Sequence, residues 1–305
     1  MTHAAALIDK TSACKPNTGT GPAPRRSRRL GHSHRPLWAA RLLDLVGVIG
    51  LIGLQGMTPA SAEDLQGVQA ILSNSETSPI PAGWWVGAAG YTGSSPYRDG
   101  NNTSTPIPGA LYIGSDFMYL GDRAFYTFAH AGPVSFFGRA RVRLGNLDPK
   151  DQSQWTLLKP RRWQGEAGLG ATWLSGVGLW TARVSTDVTQ RTGGSEVLFS
   201  WSAPVVQQGW MVMPGLAAIW RQDKLANYYF GGVSAAEAST ALPAYNVGHA
   251  WSISPSVLST YRINPQWMVG GLFSMDIFSN AIKDSPLVQQ RSRYDLLLGL
   301  AYIWR

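Results

Sequence analysis

Apolar positions alternate along the last stretch of the chain with a period of two. Tyr294, Leu296, Leu298, Leu300, Tyr302 and Trp304 form one face; Asp295, Leu297, Gly299, Ala301 and Ile303 form the other. Such a period predicts a β-strand. One face is wholly apolar and carries an aromatic ring at each end. Ten residues at about 3.3 Å each, tilted by about 40°, rise roughly 25 Å, the height of the lipid-facing band of an outer-membrane barrel. Taken alone, this segment would also suit the last strand of a soluble sandwich.

The layout recurs upstream. Trp163, Gly165, Ala167, Leu169, Ala171 and Trp173 share a face, as do Trp251, Ile253, Pro255, Val257, Ser259 and Tyr261. Trp210 and Trp220 bracket Val212, Pro214, Leu216 and Ala218. At 11% aromatic content such pairs also arise by chance, so the weight lies in the alternation between them. Leu169 is expected near mid-membrane. A small side chain at Gly170, on the opposite face, is expected to be tolerated.

Twelve strands are predicted, at about 84–91, 105–113, 116–121, 123–130, 133–144, 161–174, 177–187, 195–203, 208–221, 248–262, 266–277 and 292–304. Their connections alternate in length. Long polar ones fall at 92–104, 145–160, 188–194, 222–247 and 278–291, with Gly121-Asp122 as a short exception. Short ones fall at 114–115, 131–132, 175–176, 204–207 and 263–265. An even strand number with loops sorted by parity is the outer-membrane layout, whereas a sandwich has no reason to sort them. The pattern therefore predicts an all-β fold: an antiparallel transmembrane β-barrel over 84–305, of about twelve strands, with ten as the alternative. Short turns and both termini would face the periplasm. Pro214 and Pro255 fall inside predicted strands; each lacks a ladder donor, so a bulge or local break is expected there.

The N-terminus supplies an address. Arg25, Arg26, Arg28, Arg29, Arg35 and Arg41 precede the apolar run Leu42 to Leu54, and Ala60-Ser61-Ala62 offers a small-residue cleavage site. Residues 1–62 read as a cleaved secretory signal peptide, and 63–83 as a short periplasmic segment before the barrel. Ser27-Arg28-Arg29 lacks the flanking pattern of a twin-arginine signal, so Sec-dependent export is expected. The leader carries eight of the 26 Lys/Arg and two of the 18 Asp/Glu, leaving 18 against 16. A nearly balanced mature chain gives no argument for nucleic acid as a partner. Cys14, the single cysteine, also lies in the leader, so no disulfide or thiol nucleophile is expected beyond it. A mean hydropathy of -0.08 fits a membrane protein whose apolar face is hidden in alternation.

Candidate chemistry is sparse. Two histidines follow the leader, His130 and His249. His249, with Ser252 and Ser254 nearby and Asn246 before it, is the least weak basis for an outer-membrane hydrolase, but no local motif supports one. No cofactor or metal spacing is present. Arg139, Arg141 and Arg143 alternate with Gly138, Ala140, Val142 and Leu144, which would turn all three guanidiniums into the lumen. Stacked cations need counter-charges. Glu166 on the next strand is the best candidate, and Asp187 is a second. The favoured reading is a salt-bridged, plugged lumen; the alternative is a narrow anion-attracting channel.

The run Asn227-Tyr228-Tyr229-Phe230-Gly231-Gly232-Val233-Ser234-Ala235-Ala236-Glu237-Ala238 resembles the YYFGVS-x-x-EA stretch of the MltA-interacting protein (MipA/OmpV) family. Leu242-Pro243-Ala244-Tyr245, Ser254-Pro255, Tyr261-Arg262, Asp284-Ser285-Pro286-Leu287-Val288, Ser95-Pro96-Tyr97 and Pro106-Ile107-Pro108 follow in family order. The chain departs from the pattern in an extra glycine after Phe230-Gly231 and in ending Trp304-Arg305. Leu297, Gly299, Tyr302 and Trp304 keep the order of a C-terminal assembly signal, read by the barrel assembly machinery. The resemblance implies a non-enzymatic outer-membrane barrel in contact with lipid. It also implies a scaffold holding a lytic transglycosylase near a murein synthase, or else a surface-interaction protein. Tyr228, Tyr229 and Phe230 are then candidates either for packing the longest loop onto the barrel or for contacting a partner.

Overall fold

The structure is a computed structural model and describes residues 80–304, apart from 99, 101, 146, 148, 150–154 and 156. The predicted signal peptide and nearly all of the segment 63–83 lie outside the described residues. The strands are β1 (Gly83–Gly93), β2 (Thr103–Ile113), β3 (Phe117–Tyr119), β4 (Arg123–Ala131), β5 (Val134–Arg143), β6 (Gln164–Ser175) and β7 (Gly178–Asp187). They continue with β8 (Ser195–Ser202, resuming at Val205–Gln207), β9 (Trp210–Arg221), β10 (Ala250–Arg262), β11 (Trp267–Phe278) and β12 (Ser292–Trp304). Two short helices, α1 (Asp223–Tyr229) and α2 (Asn280–Lys283), sit in the long loops. Each strand pairs antiparallel with its neighbours in sequence, and β1 pairs with β12 from Trp84↔Trp304 to Gly93↔Asp295. The sheet is thus a closed barrel of twelve strands rather than ten.

Closure fixes the two faces, because a slip of one residue would turn every side chain over. Leu169, Leu216, Leu298 and Phe199 are exposed on the outer wall. Trp163, Trp220, Trp251 and Tyr294 mark one end of that wall, and Trp173, Trp210, Tyr261 and Trp304 the other. Rings of the lower girdle meet across strands, as in Trp210–Tyr261 at 4.6 Å, Trp84–Tyr112 at 5.2 Å and Trp267–Tyr302 at 5.4 Å. Amphipathic rings settle at the headgroup level, so the two girdles bound the membrane.

One local expectation holds in its second form, and two are corrected. Pro214 and Pro255 cause no bulge: Pro214↔Val257 and Leu216↔Pro255 lie in one unbroken register. Each meets a local break instead: the β10–β11 pairing skips Ser254 and Pro255 without a change of register, and β8 breaks at Ala203-Pro204, opposite Pro214, while its two pieces hold the same register against β9. The described register shift lies elsewhere, in β4 between Thr127 and Ala129. Residues 205–207 extend β8, and the turn is Gln208-Gly209, with φ of 47° and 85°. Two positive φ values make the turn whose twist matches a hairpin. Finally, a side chain at Gly170 is not tolerated as expected, because its Cβ would run into the Phe137 ring and the Ala182 carbonyl.

The interior has three levels. On the turn side an apolar cluster includes Trp85, Ile113, Phe125, Phe137, Met211, Met213 and Ile303. Charged side chains occupy the middle. On the loop side a second apolar cluster joins Tyr97, Leu225, Tyr229, Phe230, Leu242, Phe278, Ile282 and Leu287 from several loops.

Candidate functional site

The charged belt is assembled from inward positions near the loop-side ends of the strands. Arg143 closes β5, and its Nε donates to Glu166 on β6 in a close ion pair. Its Nη2 donates to Glu196 Oε2 at 3.0 Å. Glu196 also accepts from Arg183 Nη2 at 3.2 Å and from Arg221 Nε at 3.2 Å. Arg221 Nη1 donates to Ser252 Oγ at 2.9 Å. Arg141 lies 3.9 Å from Glu166 and 3.5 Å from Asp122, which also takes a two-pronged contact from Arg123 at 2.6 and 2.7 Å. Across the barrel Arg293 faces Asp276 at 3.4 Å and Asp295 at 3.9 Å, while Tyr91 donates to Asp295 at 2.6 Å. Burial in a narrow lumen would be costly for any of these charges alone; shared carboxylates and fork-shaped guanidiniums make it sustainable.

Arg139, Arg141, Arg143 and Glu166 therefore line one wall together, and Arg139 also stands over the Phe125 ring at 5.9 Å. Asp187 is not part of the belt. Its carboxylate accepts from Thr189 N at 2.8 Å, Thr192 N at 2.6 Å and Gly193 N at 3.0 Å, and so shapes its own loop. The sequence reading missed Asp122, Arg183, Glu196, Arg221, Asp276, Arg293 and Asp295. Parity would have found most of them, since they hold inward positions within a few residues of a strand's loop end.

The loop cap rests on this belt. Arg221 lies 4.1 Å from the Phe230 ring centroid and Arg143 lies 5.7 Å from that of Tyr229. Such cation–π contacts gain strength where water is excluded. Tyr229 donates to Arg162 O at 2.6 Å, and Tyr97 donates to Tyr229 O at 2.6 Å. Tyr229 and Phe230 are buried; Tyr228 is half-buried, and its hydroxyl accepts from Arg162 N at 2.9 Å. Tyr228 also borders an outward-facing hollow of about 720 Å³ with Arg161, Arg191 and Lys224.

Glu237 ties the cap from above. It accepts from Arg161 Nη1 at 2.6 Å, Lys159 N at 3.1 Å, Ser234 N at 3.1 Å and Ser234 Oγ at 2.8 Å. Burial alone would raise its pKa, but the Arg161 and Ser234 bonds prevail and hold it at about 2. An unfolded glutamate titrates near 4.3 (roughly). A depressed folded value means that this tie is complete above the unfolded value and is lost as pH falls from about 4.3 toward 2. Protection of the 228–245 amides, relative to their intrinsic exchange rates, should fall over that window, and Glu237→Gln should show the lower protection already at neutral pH. Protection unchanged down to pH 2 would contradict the assignment.

The described residues contain no cluster of three or more metal-ligating side chains. His249 stacks on Trp220 on the outer side, at 5.4 Å, while Ser252 and Ser254 are buried in the lumen, so the strand holds them on opposite faces. His130 Nδ1 lies 3.0 Å from Ser135 Oγ as a cross-strand pair beside the tight β4–β5 turn.

The MltA-interacting protein of Escherichia coli K12 is 23% identical over 209 residues, covering 68% of this chain and 84% of that protein. The outer membrane protein YiaT of the same strain is 20% identical over 222 residues, covering 72% and 89%. Among solved structures, the NanC porin covers 72% of this chain and 100% of its own at 7% identity and a TM-score of 0.39. The family model of MltA-interacting protein MipA matches residues 86–304. With twelve closed strands, two aromatic girdles and that match over most of its length, the chain belongs to the MltA-interacting protein MipA family of outer-membrane β-barrels.

Proposed function

We propose that this barrel is a non-enzymatic and non-conducting scaffold of the cell envelope. It would hold a lytic transglycosylase close to a murein synthase at its periplasmic, turn-side end. The observation that carries the reading is the filled interior: buried ion pairs project into the lumen from β5, β7, β8 and β9, and an apolar loop cap lies on them. Such an interior suits a rigid platform better than a path for solutes. The relative named for its interaction with MltA gives the partner class. Within this reading, outer-membrane lipid covers the outer wall. The barrel assembly machinery engages the closing strand through Leu297, Gly299, Tyr302 and Trp304. Tyr229 and Phe230 serve to hold the cap down.

A second reading, a surface-interaction protein, is favoured by one observation, the cationic hollow beside Tyr228. Photo-cross-linkers separate the two. Val177 and Ile263 are exposed on the turn side, and Ala235 is exposed on the loop side. In intact envelopes, a probe at Val177 or Ile263 should capture a lytic transglycosylase, and one at Ala235 should not. Capture of partners only from Ala235 would replace the scaffold reading with the surface one.

A further inference from the structure

The turn-side half of the lumen is not fully packed. Beneath the charged belt lies a cavity of about 170 Å³, bordered by Ile80, Trp85, Ile113, Leu258, Met268 and Leu272. A site for one water needs about 10–15 Å³ on this measure, so the cavity holds the equivalent of roughly ten waters. Its walls offer water almost nothing to bond, and apolar cavities of this kind favour hydrocarbon over water. Gly109 on β2 borders it, and a Cβ at Gly109 would meet no atom within 4 Å. The absence of a side chain there keeps the space open.

An arginine borders one end of the cavity. Leu120 and Gly121 of the β3–β4 connection and Arg123, the first residue of β4, lie at its edge. Arg123 is 2% exposed. Its Nε and Nη2 are taken by Asp122, but Nη1 has no hydrogen-bond partner. Asp122 is shared with Arg141, 3.5 Å away. Two guanidiniums thus draw on one carboxylate, and a buried donor is left unsatisfied, which is costly unless an acceptor completes it.

An apolar chamber with an unfilled arginine donor at its edge has the chemistry of a site for a single-chain anionic amphiphile. We propose that the turn-side lumen binds one medium-length alkyl carboxylate, its chain between Trp85, Ile113 and Met268 and its head on Arg123 Nη1. This site is separate from the surfaces used by the scaffold reading, and neither depends on the other.

Decanoate is the probe. Native mass spectrometry of the full barrel, released from a neutral alkyl glycoside detergent, should show one decanoate per barrel. Decanol, with the same chain and no charge, should bind at least tenfold more weakly. Gly109→Leu fills the cavity without touching the belt. It should fold, as judged by heat-modifiable gel mobility, and lose decanoate binding by tenfold or more. Should Gly109→Leu not fold, Gly109→Ala is the smaller step and should weaken binding measurably. Decanoate binding that is unchanged in the folded variant would overturn the site. Equal binding of decanol and decanoate would overturn the role of Arg123.

Discussion

Glu196→Gln should lower the unfolding free energy of the barrel by about 3–5 kcal/mol, the cost of breaking a buried ion pair from one side. Glu196 faces Arg143, Arg183 and Arg221 at 3.0–3.2 Å, on side chains between 0 and 7% exposed. Removing its charge leaves three buried cations close together with no shared counter-ion. Urea unfolding in lipid vesicles, followed by tryptophan fluorescence, measures the loss. Pairing the change with Arg183→Gln should recover part of it, because one of the cations then disappears as well. A loss of only about 0–1 kcal/mol, as for an exposed pair, would mean that the belt is hydrated. The pair Arg143–Glu166 should show coupling in the same kind of cycle.

Leu169→Arg should cost about 2–4 kcal/mol and slow assembly, since an arginine on the lipid face near mid-membrane must shed or drag in water. Leu169 is 61% exposed on the outer wall, between Trp163, which just precedes β6, and Trp173 on the same face of β6. The neighbouring change Gly170→Ser acts by a different cause. It forces an atom against Phe137 and should cost about 1–3 kcal/mol by overpacking. The two are separable in refolding from urea. Thicker bilayers should leave the Gly170 defect unchanged, whereas the Leu169 defect should persist only where lipid surrounds the barrel. If Leu169→Arg refolds into bilayers as well as the parent chain, the outward assignment is wrong.

The wall was legible from sequence because period-two alternation, aromatic spacing and loop parity all act locally along one strand. The strand count follows from them, and so does the facing of Trp163, Leu169 and Trp173. Contacts made across the barrel were not legible. Arg139, Arg141 and Arg143 drew attention because they sit on one strand, yet their surroundings depend on Asp122 in the β3–β4 connection and on Glu196 and Arg221 from two other strands. Closure sets those distances, and no single strand encodes it. The same limit explains Gly170. Its space is taken by Phe137, its partner on β5, so a lumen imagined as watery is filled there by a ring. At the prolines the sheet uses a local break rather than a bulge. A missing donor calls for a bulge only if the ladder must continue there, and at Pro214 the facing strand is itself interrupted at Ala203-Pro204.

Planar-bilayer recording of the purified full-length barrel tests the filled lumen most directly. The interlocked belt and the loop cap predict no stable conductance steps at neutral pH. Sustained open steps with anion selectivity, reduced by replacing Arg141 or Arg143, would contradict the account and make the arginine wall the lining of a pore.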